Sequence, residues 1–214
     1  FSFYNQILNR ILYFFYHRNK IFIEKTVFPI RNNIEMNLKL YQIPTYPNDT
    51  FYNSFGNTGL YKYNNIDFAK RRSFSLGKKV KTDSFIKYID SVIRDDIPKC
   101  FVEGFDNLCN FSEKIKFKPK IILSSYYHYF NELFKVWTAY LVERKKTKLF
   151  IASHGGGGFL KNPSCLNFKT EVADTKINWH RTKKKKEIQL PATKFLNFKE
   201  KKFMKRNSIC YVQG

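Results

Sequence analysis

The chain has 214 residues, enough to bury one large core or two small ones, and this excludes only a mini-protein. Its formal charge of +22 points first to polyphosphate or an anionic membrane as partner. Yet Lys far outnumbers Arg, while Asn, Ile, Phe and Tyr are plentiful, the bias expected of very A+T-rich coding sequence.

Cys100, Cys109, Cys165 and Cys210 form no CxxC pair and have no His at ligand spacing. Neither a zinc site nor a disulfide framework is indicated, and reduced, mostly buried thiols are expected. The sequence opens on Phe1 and stops after the apolar run Ser208 to Val212, so it reads as an internal piece of a longer protein.

In chain order, the run Ile11 to Tyr16 is apolar, but His17, Arg18 and Lys20 interrupt it well short of a bilayer span. It also lacks a signal-peptide cleavage pattern. The first 40 or so residues should hold one or two helices around an apolar strand at Ile21-Phe22-Ile23. From Tyr41 to about Arg72, Pro44, Pro47, Gly56, Gly59 and many Asn predict a long irregular segment. Between Asp83 and Ile97 apolar residues recur at three- and four-residue steps, which predicts a helix capped by Asp83 or Ser84 and stopped by Pro98. A helical turn or two is expected over Asn107 to Lys114.

Lys120 to Ser125 is a short continuous apolar run after Pro119, as expected of a strand buried on both faces. Glu132 to Arg144 sets Leu133, Phe134, Val136, Trp137, Tyr140 and Leu141 along a helix, and Lys148 to Ser153 is a second buried strand. Strand, helix and strand make a βαβ unit with parallel strands. The fold class is therefore α/β, a Rossmann-like parallel sheet flanked by helices. Glu171 to Trp179 could add a short strand, Lys183 to Lys186 a basic turn and Ile188 to Pro191 an edge segment. Phe198 to Arg206 reads as a basic linker or short helix leading to a strand at Ser208 to Val212.

Ligands of open parallel sheets bind beyond the carboxyl ends of the strands. His154, Gly155, Gly156, Gly157 and Gly158 follow the second strand there. Glycines let the backbone approach a phosphate or sugar, and His154 can act as general base or donate to a phosphate. The same run could equally be a flexible turn. It is neither a P-loop nor a GxGxxG fingerprint. Ser125 and His128, at the end of the first strand, would face the same cleft or cap the next helix. Glu103 is a weaker functional candidate. Glu132 reads as a first-turn helix residue, Trp137 as core, and His17 and His180 as surface.

The ordered series Asp96 to Phe105, Lys118 to Ser125, Phe134 to Tyr140 and Lys148 to Gly157 resembles a family of predicted bacterial transferases for surface-carbohydrate biosynthesis. Its relatives look like glycosyltransferases of the two-Rossmann-domain, or GT-B, type. The resemblance covers about residues 80 to 214, with Asp174, Trp179, Lys183 to Lys186 and Ser208 to Val212 at the family's later landmarks. Ser153 stands where Gln is usual, Gly158-Phe159 replaces a Tyr-Gly step, and His180 follows Trp179 where Gly is usual.

The resemblance implies an incomplete GT-B architecture. Residues 1–80 would form a helical and irregular region, 81–206 the acceptor-side domain with its linker, and 207–214 the first strand of a truncated nucleotide-sugar domain. It further implies transfer of a sugar from an activated nucleotide donor to a glycan or lipid-linked acceptor, with no cofactor and no metal, by a fragment inactive alone. His154 would be the base or a ligand of the donor phosphates, with Gly155, Gly156, Gly157, Ser125 and His128 binding substrate. Cytoplasm is the expected compartment, with contact to an anionic membrane at the inner face of the plasma membrane as an option. A basic nucleic-acid-binding or peripheral membrane module without catalysis is the alternative. The A+T-rich bias makes nucleic acid the less favoured partner.

Overall fold

The computed structural model describes residues 18–44, 65–73, 84–154, 168–169, 171–179 and 185–191. Among the described residues, five strands form one sheet in the order β1-β2-β3-β4-β5, every adjacent pair parallel: β1 (Ile21–Glu24), β2 (Ile121–Ser124), β3 (Lys148–Ala152), β4 (Thr175–Asn178) and β5 (Glu187–Gln189). The first three strands are short, mainly apolar runs, as expected of strands covered on both faces. Alternation then sends neighbours to opposite faces. Phe22, Ile122, Leu149 and Ile151 pack on one side, and Ile23, Leu123, Ala152 and Ile177 on the other.

The first face is closed by α4 (Phe105–Lys114) and α6 (Glu132–Lys145), which bring Leu108, Leu133, Phe134, Trp137 and Leu141 against the strands. Trp137 is fully buried, with Phe22 edge-on to it at 5.6 Å and Phe117 stacked at 5.9 Å. Such aromatic pairs add to the area they bury. The expected reading of Trp137 as core and Glu132 as a first-turn residue holds. Asn131 starts α6 by accepting from the Phe134 N–H at 2.8 Å, and Lys146, in the left-handed region at φ 57°, ends it.

The second face is covered in part by α1 (Ile30–Lys39), through Met36. This helix turns Asn33 and Asn37 inward and leaves Ile30, Ile34 and Leu38 exposed. Gln42 just beyond it donates to Asn37 Oδ1 at 2.9 Å and also pairs with β1. The strand expected at Ile21 to Ile23 is thus present and supplies the sheet's outer strand beside β2.

The segment from Tyr41 to Arg72, expected to be irregular, contains a helix, α2 (Phe68–Ser73), among its described residues. Burial of Arg71 against Glu103 accounts for it: the guanidinium meets the carboxylate at 2.7 and 3.0 Å, a tie that local sequence does not reveal. Helix α3 (Ser84–Asp96) lies where the periodicity places it, but buries none of its side chains fully. A 3-10 turn (Lys99–Phe101) follows Pro98. The helix after it begins at Phe105, two residues before the expected start. A final short helix, α5 (Tyr127–Phe130), links β2 to α6.

Among the described residues no helix is long and apolar enough to cross a membrane. The runs Ile11 to Tyr16, Phe198 to Arg206 and Ser208 to Val212 lie outside them, as do Cys165 and Cys210. Cys100 and Cys109 are free, half-buried thiols, and burial is the first cause raising each.

Candidate functional site

Parallel register gathers the strand ends on one edge. Glu24 lies opposite Ser124, Ser124 opposite Ile151, and Ala152 opposite Ile177. The residues that follow therefore converge: Lys25, Ser125, His154 and Trp179 each leave the sheet on that side. Lys25 turns away with φ 48°, uncommon for a residue with a side chain, and its carbonyl accepts from the Ser125 N–H at 3.2 Å.

The exit from β2 decides what stands beside His154. Ser124 Oγ accepts from the Tyr127 N–H at 3.2 Å, which starts α5 at once. This puts Tyr126 and Tyr129 beside the imidazole. Their rings meet His154 edge to face, with centroids 5.8 and 6.2 Å away and planes at 74° and 85°. The Lys169 ammonium sits over the Tyr129 ring, 5.0 Å from its centre, although the lysine is only 4 % exposed.

Both histidines of the cluster are pushed toward the neutral form. For His154 the first cause is loss of water and the second the charge of Lys169. For His128, burial and then the charges of Lys169, His154 and Lys135 bring the value down to about 4. At neutral pH both imidazoles can accept a proton. The cluster thus combines an exposed neutral base, a buried lysine, and tyrosine rings that could flank a ligand.

His154 and His128 are brought together. Ser125 joins the same edge, but it is fully buried and its Oγ has no hydrogen-bond partner. Gly155, Gly156 and Gly157 lie outside the described residues, as do His17 and His180. Glu103 belongs elsewhere, paired with Arg71. Asp174 lies at the opposite end of the sheet, where its Oδ2 accepts from the Leu149 N–H at 2.9 Å and its Oδ1 from Lys148 Nζ at 2.8 Å. Burial opposes its charge, and the hydrogen bond from Lys148 leads the causes that lower its pKa.

Tyr126, Tyr129 and Lys169 were not singled out from sequence. Aromatic and basic residues are common throughout, so only the strand-to-helix turn after β2 could have marked the two tyrosines, and nothing local marks Lys169. A hollow of about 470 Å³ between α4 and α6 shares no residue with the cluster. A second, of about 430 Å³, reaches it through His128. Among the described residues no group of three or more His, Cys, Asp or Glu is placed to hold a metal ion.

A protein-family model described as LIC12162 family transferase matches residues 1–213. No curated protein and no solved structure matches the chain.

Proposed function

The chain belongs to the LIC12162 family of transferases, and on that premise we propose that it contributes the acceptor side of a GT-B-like glycosyltransferase for bacterial surface carbohydrates. The observation that carries the reading is the position of His154 just past the carboxyl end of β3, against the rings of Tyr126 and Tyr129 and within the field of Lys169.

In this reading the His154 imidazole takes the proton from an acceptor hydroxyl as that oxygen bonds to the anomeric carbon of a nucleotide sugar. The bond from that carbon to the donor phosphate breaks, and the nucleoside diphosphate leaves with the electron pair. Lys169 and the amides of Gly155, Gly156 and Gly157 favour the negative charge that gathers on it. Ser125 and His128 shape the acceptor wall, and Tyr126 and Tyr129 offer flat surfaces to a sugar ring. The acceptor is a glycan or lipid-linked glycan, met at the inner face of the membrane.

The test is release of nucleoside diphosphate from a panel of nucleotide sugars by the complete gene product, with and without His154→Ala. Loss of the general base should lower kcat by about 10²- to 10⁴-fold while donor affinity holds. An unchanged kcat removes His154 from the chemistry. Failure to consume any nucleotide sugar removes glycosyl transfer altogether.

A further inference from the structure

Helix α6 presses Phe134, Trp137 and Leu141 to the sheet side and leaves a cavity of about 430 Å³ along its flank. Its apolar wall is made by Phe134, Ala139, Val142, Leu149, Phe168 and Val172. That volume falls within the range of small-molecule sites, about 300 to 1,000 Å³, which are mainly apolar with a few placed polar groups.

The polar groups are present and unused. His128 and Thr138 both border the cavity, at 6 % and 5 % exposure. His128 Nδ1 and Nε2 and Thr138 Oγ1 have no hydrogen-bond partner. A helical threonine ordinarily returns its hydroxyl to a carbonyl one turn back, and this one does not. Buried polar atoms without partners are rare and costly.

We propose that this cavity binds an uncharged, mainly apolar small molecule bearing a hydroxyl, which takes up the unpartnered atoms of His128 and Thr138. The hydrocarbon part lies against Val142, Phe168 and Val172. A hydroxyl suits the site because it both donates and accepts, as do a neutral imidazole and a threonine side chain. An anion is disfavoured by Glu143 and Glu171 in the lining, and Lys135 is already paired with Glu132 at 2.6 Å. At His128 itself the charge of Lys169 disfavours a cation. The inference does not depend on glycosyl transfer.

The probes are benzyl alcohol, toluene as its hydrocarbon counterpart and benzoate as its anionic one, added to the intact chain. Benzyl alcohol should shift the methyl resonances of Val142, Leu149 and Val172 saturably, and benzoate should bind more weakly. Thr138→Val keeps the shape and removes an orphan hydroxyl, so it should fold as well as the parent. It should weaken benzyl alcohol about five- to tenfold and leave toluene unchanged. Val172→Trp, at a half-exposed position, should fill the cavity and abolish both. Absent saturation with benzyl alcohol, equal binding of benzoate, or an unchanged preference in Thr138→Val would each overturn the proposal.

Discussion

Ser153 Oγ donates to Asn178 Oδ1 at 3.0 Å, tying the carboxyl ends of β3 and β4 together one residue before His154. Asn178 is fully buried and passes the connection on, its Nδ2 donating to Glu187 Oε2 at 2.8 Å on β5. One amide thus bridges three strands beneath the cluster. Asn178→Leu should cost about 2 to 3 kcal/mol, because it takes a partner from a half-buried hydroxyl and from a carboxylate oxygen together. Ser153→Ala removes a smaller partner and should cost about 1 kcal/mol. Urea unfolding reads both, and an Asn178→Leu protein as stable as the parent would dismiss the bridge.

His128 should make the fold sensitive to mild acid. Its imidazole titrates at about 4 in the folded chain, against an ordinary 6.5, chiefly because it is buried. The unfolded chain then binds the proton more readily, so the stability it carries is whole above pH 6.5 and drains away as pH falls toward 4. The gap corresponds to about 3 kcal/mol as an order of magnitude. His128→Phe should flatten stability across that window, with little loss at pH 7 because two orphan nitrogens disappear. A ring titration by NMR with its midpoint near 6.5 would remove the premise.

Legibility followed sequence distance. The βαβ unit from Ile121 to Ala152 was readable because each element carries its own signal: continuous apolar strands and a helical spacing between them. That signal also located His154 at the ligand edge, since the residue after a buried parallel strand can only emerge there. Short helix α2 was hidden because its stability comes from Glu103, 32 residues from Arg71. Lys169 was hidden for the same reason. Periodicity places α3 but not its burial, and α1 reverses the usual rule by turning Asn33 and Asn37 inward.

Gln42 protects the outer edge of the sheet. Its Oε1 accepts from the Ile21 N–H at 3.3 Å and its Nε2 donates to the Ile21 carbonyl at 2.9 Å, so a side-chain amide pairs with β1 as a neighbouring peptide would. Asn19 does the same with the Ile43 backbone, at 2.8 and 3.2 Å. Gln42→Glu keeps an acceptor for Ile21 but loses the donor to Ile21 and Asn37, setting negative charge against two oxygens. A loss of about 1 to 3 kcal/mol is expected at pH 7, with faster amide exchange at Ile21. Unchanged exchange would mean that the edge is held by other contacts.

The ion pair of Arg71 and Glu103 should define a second, lower acid transition. Arg71 donates to both carboxylate oxygens and, through Nη1, to the carbonyls of Arg94 and Asp95 at 2.9 and 3.1 Å. It thereby joins α2, the end of α3 and the turn before α4. Hydrogen bonds from Arg71 lead the causes that hold Glu103 at about 2, against an ordinary 4.5. Because the folded value is depressed, the unfolded carboxylate takes its proton first. The stabilisation is complete above pH 4.5 and disappears as pH falls through about 2. Glu103→Gln should therefore unfold at a lower temperature than the parent at pH 7, and the two melting temperatures should converge as pH approaches 2. Curves that stay parallel between pH 4.5 and 2 would show that the pair does not set this transition. Adding His128→Phe separates the two windows, since the pH dependence that it removes lies between 6.5 and about 4, and the offset it leaves below that range is constant.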